Sequence, residues 1–77
     1  MSNMKKEISL NEIIADKLKD LRKEKELSQI ELANLLKIDK STIAKYETGA
    51  AVPSVHMLFS IAKFFDVSTD YLLGLED

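Results

Sequence analysis

Residues 28–49 read SQIELANLLKIDKSTIAKYETG, and local chemistry alone places two helices in them. Ser28-Gln29-Ile30-Glu31 has the form of a capping box, in which the serine oxygen accepts an orphan amide while the glutamate three residues on reaches back. Leu27 and Leu32 stand in the staple positions around it, so a helix is expected from Gln29 to Leu36. Asp39 carries the short acceptor side chain favoured at an N-cap, flanked by Ile38 and Ile43, and predicts a second helix from Lys40 to about Glu47. Gly49 supplies a left-handed residue to end it. The connection Lys37-Ile38-Asp39 has three residues, short enough to hold the two helices at a steep angle.

The same grammar recurs outward from this stretch. Ser9-Leu10-Asn11-Glu12 is another capping box and opens a helix from Leu10 to about Lys25, whose apolar face is Ile14, Leu18 and Leu21. Ser54 after Pro53 caps a helix from Val55 to Phe65, with Val55, Leu58, Ile61, Ala62 and Phe65 as its core stripe. Ser68 caps a short helix from Thr69 to Leu73, followed by Gly74. Five starts from one rule predict an all-α fold: a compact five-helix domain over residues 8–77, with residues 1–7 as a loose tail.

Composition agrees. The 77 residues amount to one domain, and two glycines and one proline leave little material for tight β-turns. Cysteine is absent and His56 is the sole histidine, so disulfides, thiolate metal sites and His-paired nucleophiles are excluded. The carboxylates show no clustering suited to acid/base chemistry. No catalytic residue, metal or cofactor is expected. No apolar run is long enough to span a membrane and the polar N-terminus is no signal peptide, which predicts a cytoplasmic protein.

Net charge is −2, but it is unevenly distributed. Residues 17–48 carry eight Lys/Arg against six Asp/Glu, while residues 49–77 carry one lysine against four acids. A face that meets polyanions therefore belongs to the middle third. Within it, Leu32, Leu36, Ile38, Ile43 and Tyr46 are the contacts expected to lock the two helices together, and Ala33 is small where they cross. What then faces outward from residues 40–47 is Lys40, Ser41, Thr42, Ala44 and Lys45. A short helix with a small, polar and basic outer face fits the major groove of DNA, and the αα unit has the size of a helix-turn-helix.

Three segments carry a family resemblance: LKDLRKEKELSQIELA at 18–33, STIAKYETG at 41–49 and PSVHMLFSIAKFFDVSTDYLLG at 53–74. Through them the chain, from about Ile14 to Leu75, resembles the phage-repressor/Cro-like helix-turn-helix family of DNA-binding transcriptional regulators. The resemblance implies roles residue by residue. Gln29, with the amides that open its helix, would hold a DNA phosphate. Lys40, Ser41 and Lys45 would face base edges, with Thr42 beside them, and Tyr46 would be mainly core with its hydroxyl near a phosphate. Arg22 and Glu47 would form a partly buried ion pair that fixes the motif to helix 1, a structural role rather than a DNA contact.

The chain departs from the family pattern at Glu26, Lys37 and Asp66, which stand where glycine is usual. Ala50-Ala51-Val52 replaces a commonly basic loop, leaving phosphate contacts there to backbone amides. Met57, Phe59, Phe64, Leu73 and Leu75 exceed what the core needs, and Phe64, Leu73 and Leu75 are the expected homodimer interface. The expected partner is double-stranded operator DNA of roughly palindromic sequence, bound by a homodimer that represses transcription. Because 77 residues leave no ligand-binding domain, effector sensing is expected in a separate regulatory protein partner. The rival reading is a protein-interaction module of the same fold, such as an antitoxin or bridging factor.

Overall fold

The computed structural model describes residues 8–76. The expected tail, residues 1–7, lies outside them, as does Asp77. All regular structure among the described residues is helical: α1 (Leu10–Glu24), α2 (Gln29–Leu36), α3 (Lys40–Thr48), α4 (Val55–Phe65) and α5 (Thr69–Leu72). No helix among them is long and apolar enough to cross a membrane.

The starts are set by the caps read in the sequence. Ser9 and Ser28 each complete a full capping box with Glu12 and Glu31, and Ser54 and Ser68 each accept an amide three residues on. Asp39 is the exception. Its backbone is extended as an N-cap requires, yet its side chain makes no capping hydrogen bond; the first turn of α3 closes through the Asp39 carbonyl, which accepts from the Thr42 amide at 3.0 Å.

The ends show how the departures from glycine are accommodated. Glu26, Lys37 and Asp66 all adopt positive φ, at 58°, 62° and 57°. Each terminates its helix in the manner of a C-terminal glycine: after α2, the Lys37 amide donates to Asn34 O and the Ile38 amide to Ala33 O. The chain thus accepts left-handed strain at three non-glycine residues.

The core joins all five helices. Ile14, Leu18, Leu32, Ile43, Ile61 and Leu72 are fully buried, and Ala33, Tyr46, Ala62 and Phe65 pack around them. Helix α3 lies against α1 and α2, and α5 against α1 and α4. Gly74 lies close in that second seam: a Cβ there would come within 2.8 Å of Ile13 Cγ2. One expected core residue is misplaced. Val55 continues the α4 stripe by spacing but is 85% exposed; as the first residue of its helix it has no element opposite it, and the buried face begins a turn later.

Candidate nucleic-acid interface

Helix α3 divides into two faces. Ile43, Tyr46 and Glu47 point inward and are buried. Lys40, Ser41 and Lys45 are exposed, and Thr42 and Ala44 are half-buried. The outward face thus offers two ammonium groups and one or two hydroxyls on a helix of nine residues. Its N-terminal Lys40 and Ser41 amides have no partner among the described residues, as expected of the first turn of a helix.

Position on the fold comes from the opposite side of the helix. Arg22 of α1 reaches Glu47 of α3 through two hydrogen bonds, Nε donating to Oε2 at 2.6 Å and Nη2 to Oε1 at 2.9 Å. The side chains are 12% and 2% exposed. A third donor of the same guanidinium, Nη1, holds the Leu27 carbonyl at 2.8 Å and so fixes the entry to α2. The forked, planar donor set of arginine makes this three-way attachment available where lysine could not.

The electrostatics follow from that geometry. Burial pushes the Glu47 carboxyl up, but hydrogen bonds from Arg22 and Gln29 and the charges of Arg22 and Lys19 outweigh it, holding the carboxyl below the ordinary glutamate value. The hydrogen bond to Glu47 raises the Arg22 guanidinium above its ordinary value; burial opposes this and the Glu47 charge adds to it. Burial alone pushes the Tyr46 phenol up.

Gln29 has a partner that no local pattern announces: at the start of α2 its side-chain nitrogen donates to Glu47 Oε1 at 3.0 Å. The Gln29 and Ile30 backbone amides have no partner among the described residues. Tyr46, read as mainly core with its hydroxyl near a phosphate, does pack in the core and is 8% exposed.

The loop after α3 offers fewer free amides than its length suggests. The amides of Ala50 and Ala51 both donate to the Lys45 carbonyl, at 2.9 and 3.2 Å. They cap α3 and are thus already committed, which leaves the Val52 amide as the loop donor without a partner among the described residues. A contact that no local pattern announces completes the region: Asn11 Nδ2 donates to Gly49 O at 3.0 Å, tying the start of α1 to the end of α3.

The apolar residues set aside as an interface fall into two groups. Leu75 is 72% exposed. Phe64 and Leu73 are half-buried, and Phe64 stands edge-on to Phe65, ring centroids 4.9 Å apart. Phe59 is 55% exposed and lies under the Lys63 ammonium, 5.8 Å from its ring centre. Among the described residues, no three metal-ligating side chains converge.

Comparison with known proteins agrees with this geometry. A helix-turn-helix family matches residues 18–72. The chain is 48% identical over 61 residues to the HTH-type transcriptional regulator AnsR of Bacillus subtilis (strain 168), covering 79% of this chain and 53% of that protein. It is 40% identical over 62 residues to the HTH-type transcriptional activator BcrR of Enterococcus faecalis, covering 80% and 30%. The chain thus spans about half of one relative and under a third of the other. In fold it resembles the SOS-response transcriptional repressor LexA of Eubacterium rectale, with a TM-score of 0.80 at 22% identity over 88% of this chain and 70% of that one. The match across 18–72 takes in α2 and α3 together with the buried pair that anchors them: the chain belongs to the phage-repressor/Cro-like helix-turn-helix family.

Proposed function

We propose that this chain is a sequence-specific DNA-binding transcriptional regulator that lays α3 into the major groove. The observation that carries this reading is the two-sidedness of α3. Its inner face is clamped to α1 through Arg22 and Glu47, while Lys40, Ser41 and Lys45 stand exposed on the outer face. A rigidly held helix can present side chains to base edges without the ordering cost a mobile one would incur. Lysine donates to guanine O6 and N7, and the Ser41 and Thr42 hydroxyls accept or donate without strong preference, so Lys45 and Lys40 would carry most of the discrimination.

Phosphate contacts would come from the start of α2, where the unpaired Gln29 and Ile30 amides and the Gln29 side chain lie together. With the Ala50 and Ala51 amides committed to capping, and no basic side chain in residues 50–52, affinity for random DNA should be modest. The finer reading is a homodimer that binds a palindromic operator and represses by occlusion. The described domain has no ligand-sized pocket, which favours control by a partner protein over control by a small molecule bound within this fold.

The test is selection of bound duplexes from a random pool, followed by titration against salt. A palindromic consensus, with affinity that falls steeply as salt rises, supports the reading. Failure to retain any duplex over background would overturn it and leave the protein-interaction module as the function of the fold.

A further inference from the structure

We infer that Glu47 is a positioning residue for DNA binding: it fixes the Gln29 side-chain amide so that its nitrogen, and not its oxygen, meets a backbone phosphate. This rests on the DNA-binding reading and assigns Glu47 a second task beside its ion pair with Arg22.

The Glu47 carboxylate is buried at the end of α3 and accepts three hydrogen bonds, two from Arg22 and one from Gln29 Nε2. Gln29 is the first residue of α2 and only half-buried, so the outer part of its amide reaches solvent. A primary amide carries two N–H donors on one nitrogen and an acceptor oxygen on the other arm. An ionised carboxylate only accepts, so it admits the nitrogen arm and repels the oxygen arm. Glu47 takes one N–H, and the second is left on the same planar nitrogen, directed away from the buried carboxylate.

The chemistry of the start of α2 selects what that second N–H meets. The Gln29 and Ile30 backbone amides beside it lack partners among the described residues, so side chain and main chain together form an all-donor surface at the positive end of a helix dipole. A phosphodiester oxygen is the DNA group that accepts from all of them. An unfixed glutamine would turn its oxygen toward that phosphate part of the time and would be ordered only on binding. Pre-ordering one such side chain corresponds to about a twofold to tenfold gain in affinity.

The experiment is a double-mutant cycle on the full chain, using the selected operator and a random-sequence duplex. Gln29→Ala and Glu47→Gln should each weaken binding by about twofold to tenfold, equally on both duplexes, and the double variant should lose little beyond either one. Neither should change the selected consensus, because a phosphate contact carries no sequence information. In the free protein, the Gln29 side-chain NH2 resonances should be shifted from those of a solvent-exposed amide, and Glu47→Gln should return them toward it.

Losses that multiply in the double variant, or a consensus altered by Glu47→Gln, would overturn the inference, the second because it would mean that α3 itself had moved. If Glu47→Gln does not fold, the wild-type NH2 resonances decide: values of a freely exposed amide overturn it, and shifted values, with Gln29→Ala weakening both duplexes alike, support it. A wild-type chain that binds no duplex at all would instead remove the DNA-binding reading on which it rests.

Discussion

Arg22 and Glu47 meet through two parallel hydrogen bonds, 2.6 Å from Nε to Oε2 and 2.9 Å from Nη2 to Oε1, and join helices whose contacting residues lie 25 positions apart in the chain. Each charge is nearly withdrawn from water, so neither is tolerable there alone. Glu47→Ala would leave the guanidinium uncompensated among Leu27, Gln29 and the core. It should destabilise the domain by roughly 3–5 kcal/mol, a large share of what a domain this small possesses. Denaturant titration, or the melting temperature, reads this directly. An unchanged melting temperature would remove the structural role and return Arg22 to the set of possible DNA contacts.

The same pair makes stability depend on pH in one direction. The folded Glu47 carboxyl titrates below its unfolded value, which lies at about 4.3. As pH falls through that range the unfolded chain takes up the proton first, so the stabilisation is whole above the unfolded value and is lost as pH falls through the folded one. Denaturant midpoints measured from about pH 7 to about pH 3 should fall on the acid side, and Glu47→Gln should flatten that fall. Identical acid limbs for the two proteins would show that other carboxylates govern it.

Glu26 and Lys37 hold φ at 58° and 62°, a conformation that costs a residue with a Cβ on the order of 1–2 kcal/mol. Glycine removes the strain but loses more chain entropy on folding, about 0.5–1 kcal/mol. Lys37→Gly should therefore stabilise the domain, by up to about 1 kcal/mol, and Glu26→Gly similarly. Both side chains are exposed, so no packing is lost. Equilibrium unfolding of the two variants checks this, and a destabilised Lys37→Gly would mean that the lysine side chain supports the turn in a way its backbone does not reveal.

Where the sequence was legible, the information was local. Ser9, Ser28, Ser54 and Ser68 each announce a helix through atoms three residues apart, and α2 and α4 begin and end where their caps place them. The buried set Leu18, Leu32 and Ile43 follows from helical spacing alone. What stayed hidden depends on the third dimension. The Gln29–Glu47 bond spans 18 residues and Asn11–Gly49 spans 38, and no residue pattern registers either. Val55 fits its stripe by period yet overhangs the core, because periodicity gives a face but not the length of the neighbour that covers it.

Base reading by α3 should be concentrated in Lys45, which is exposed just past the middle of the helix. Lys45→Ala should weaken binding to the selected operator by about 1–3 kcal/mol and relax preference at one base pair in each half-site. Stability should be little affected, since the side chain is exposed. The measurement is a repeat of the selection with the variant. An unchanged consensus together with unchanged affinity would move recognition away from the outer face of α3.

The remaining prediction concerns a second copy of the chain. Leu75, Phe59 and Val55 are large, apolar and exposed on or beside α4 and α5, outside the basic middle third of the sequence. That separation matters, because a dimer that reads a palindrome must leave both copies of α3 facing the same side of the duplex, about 34 Å apart. Residues 49–77 carry four acids and one lysine. That bias suits a surface turned away from phosphate, but across a two-fold axis it also places like charges near one another. The free dimer should accordingly be weak and be tightened by DNA, which brings two protomers to adjacent half-sites. Leu75→Lys is the cleaner probe. Phe64→Lys would also disturb the edge-on packing against Phe65, so a loss of cooperativity in that variant could reflect a damaged core, whereas Phe59→Lys shares the exposure of Leu75. Two protomers per operator, with cooperativity lost in Leu75→Lys and Phe59→Lys while binding to a single half-site is retained, is the expected result. One protomer per operator, indifferent to both changes, would make this domain a monomeric reader of DNA.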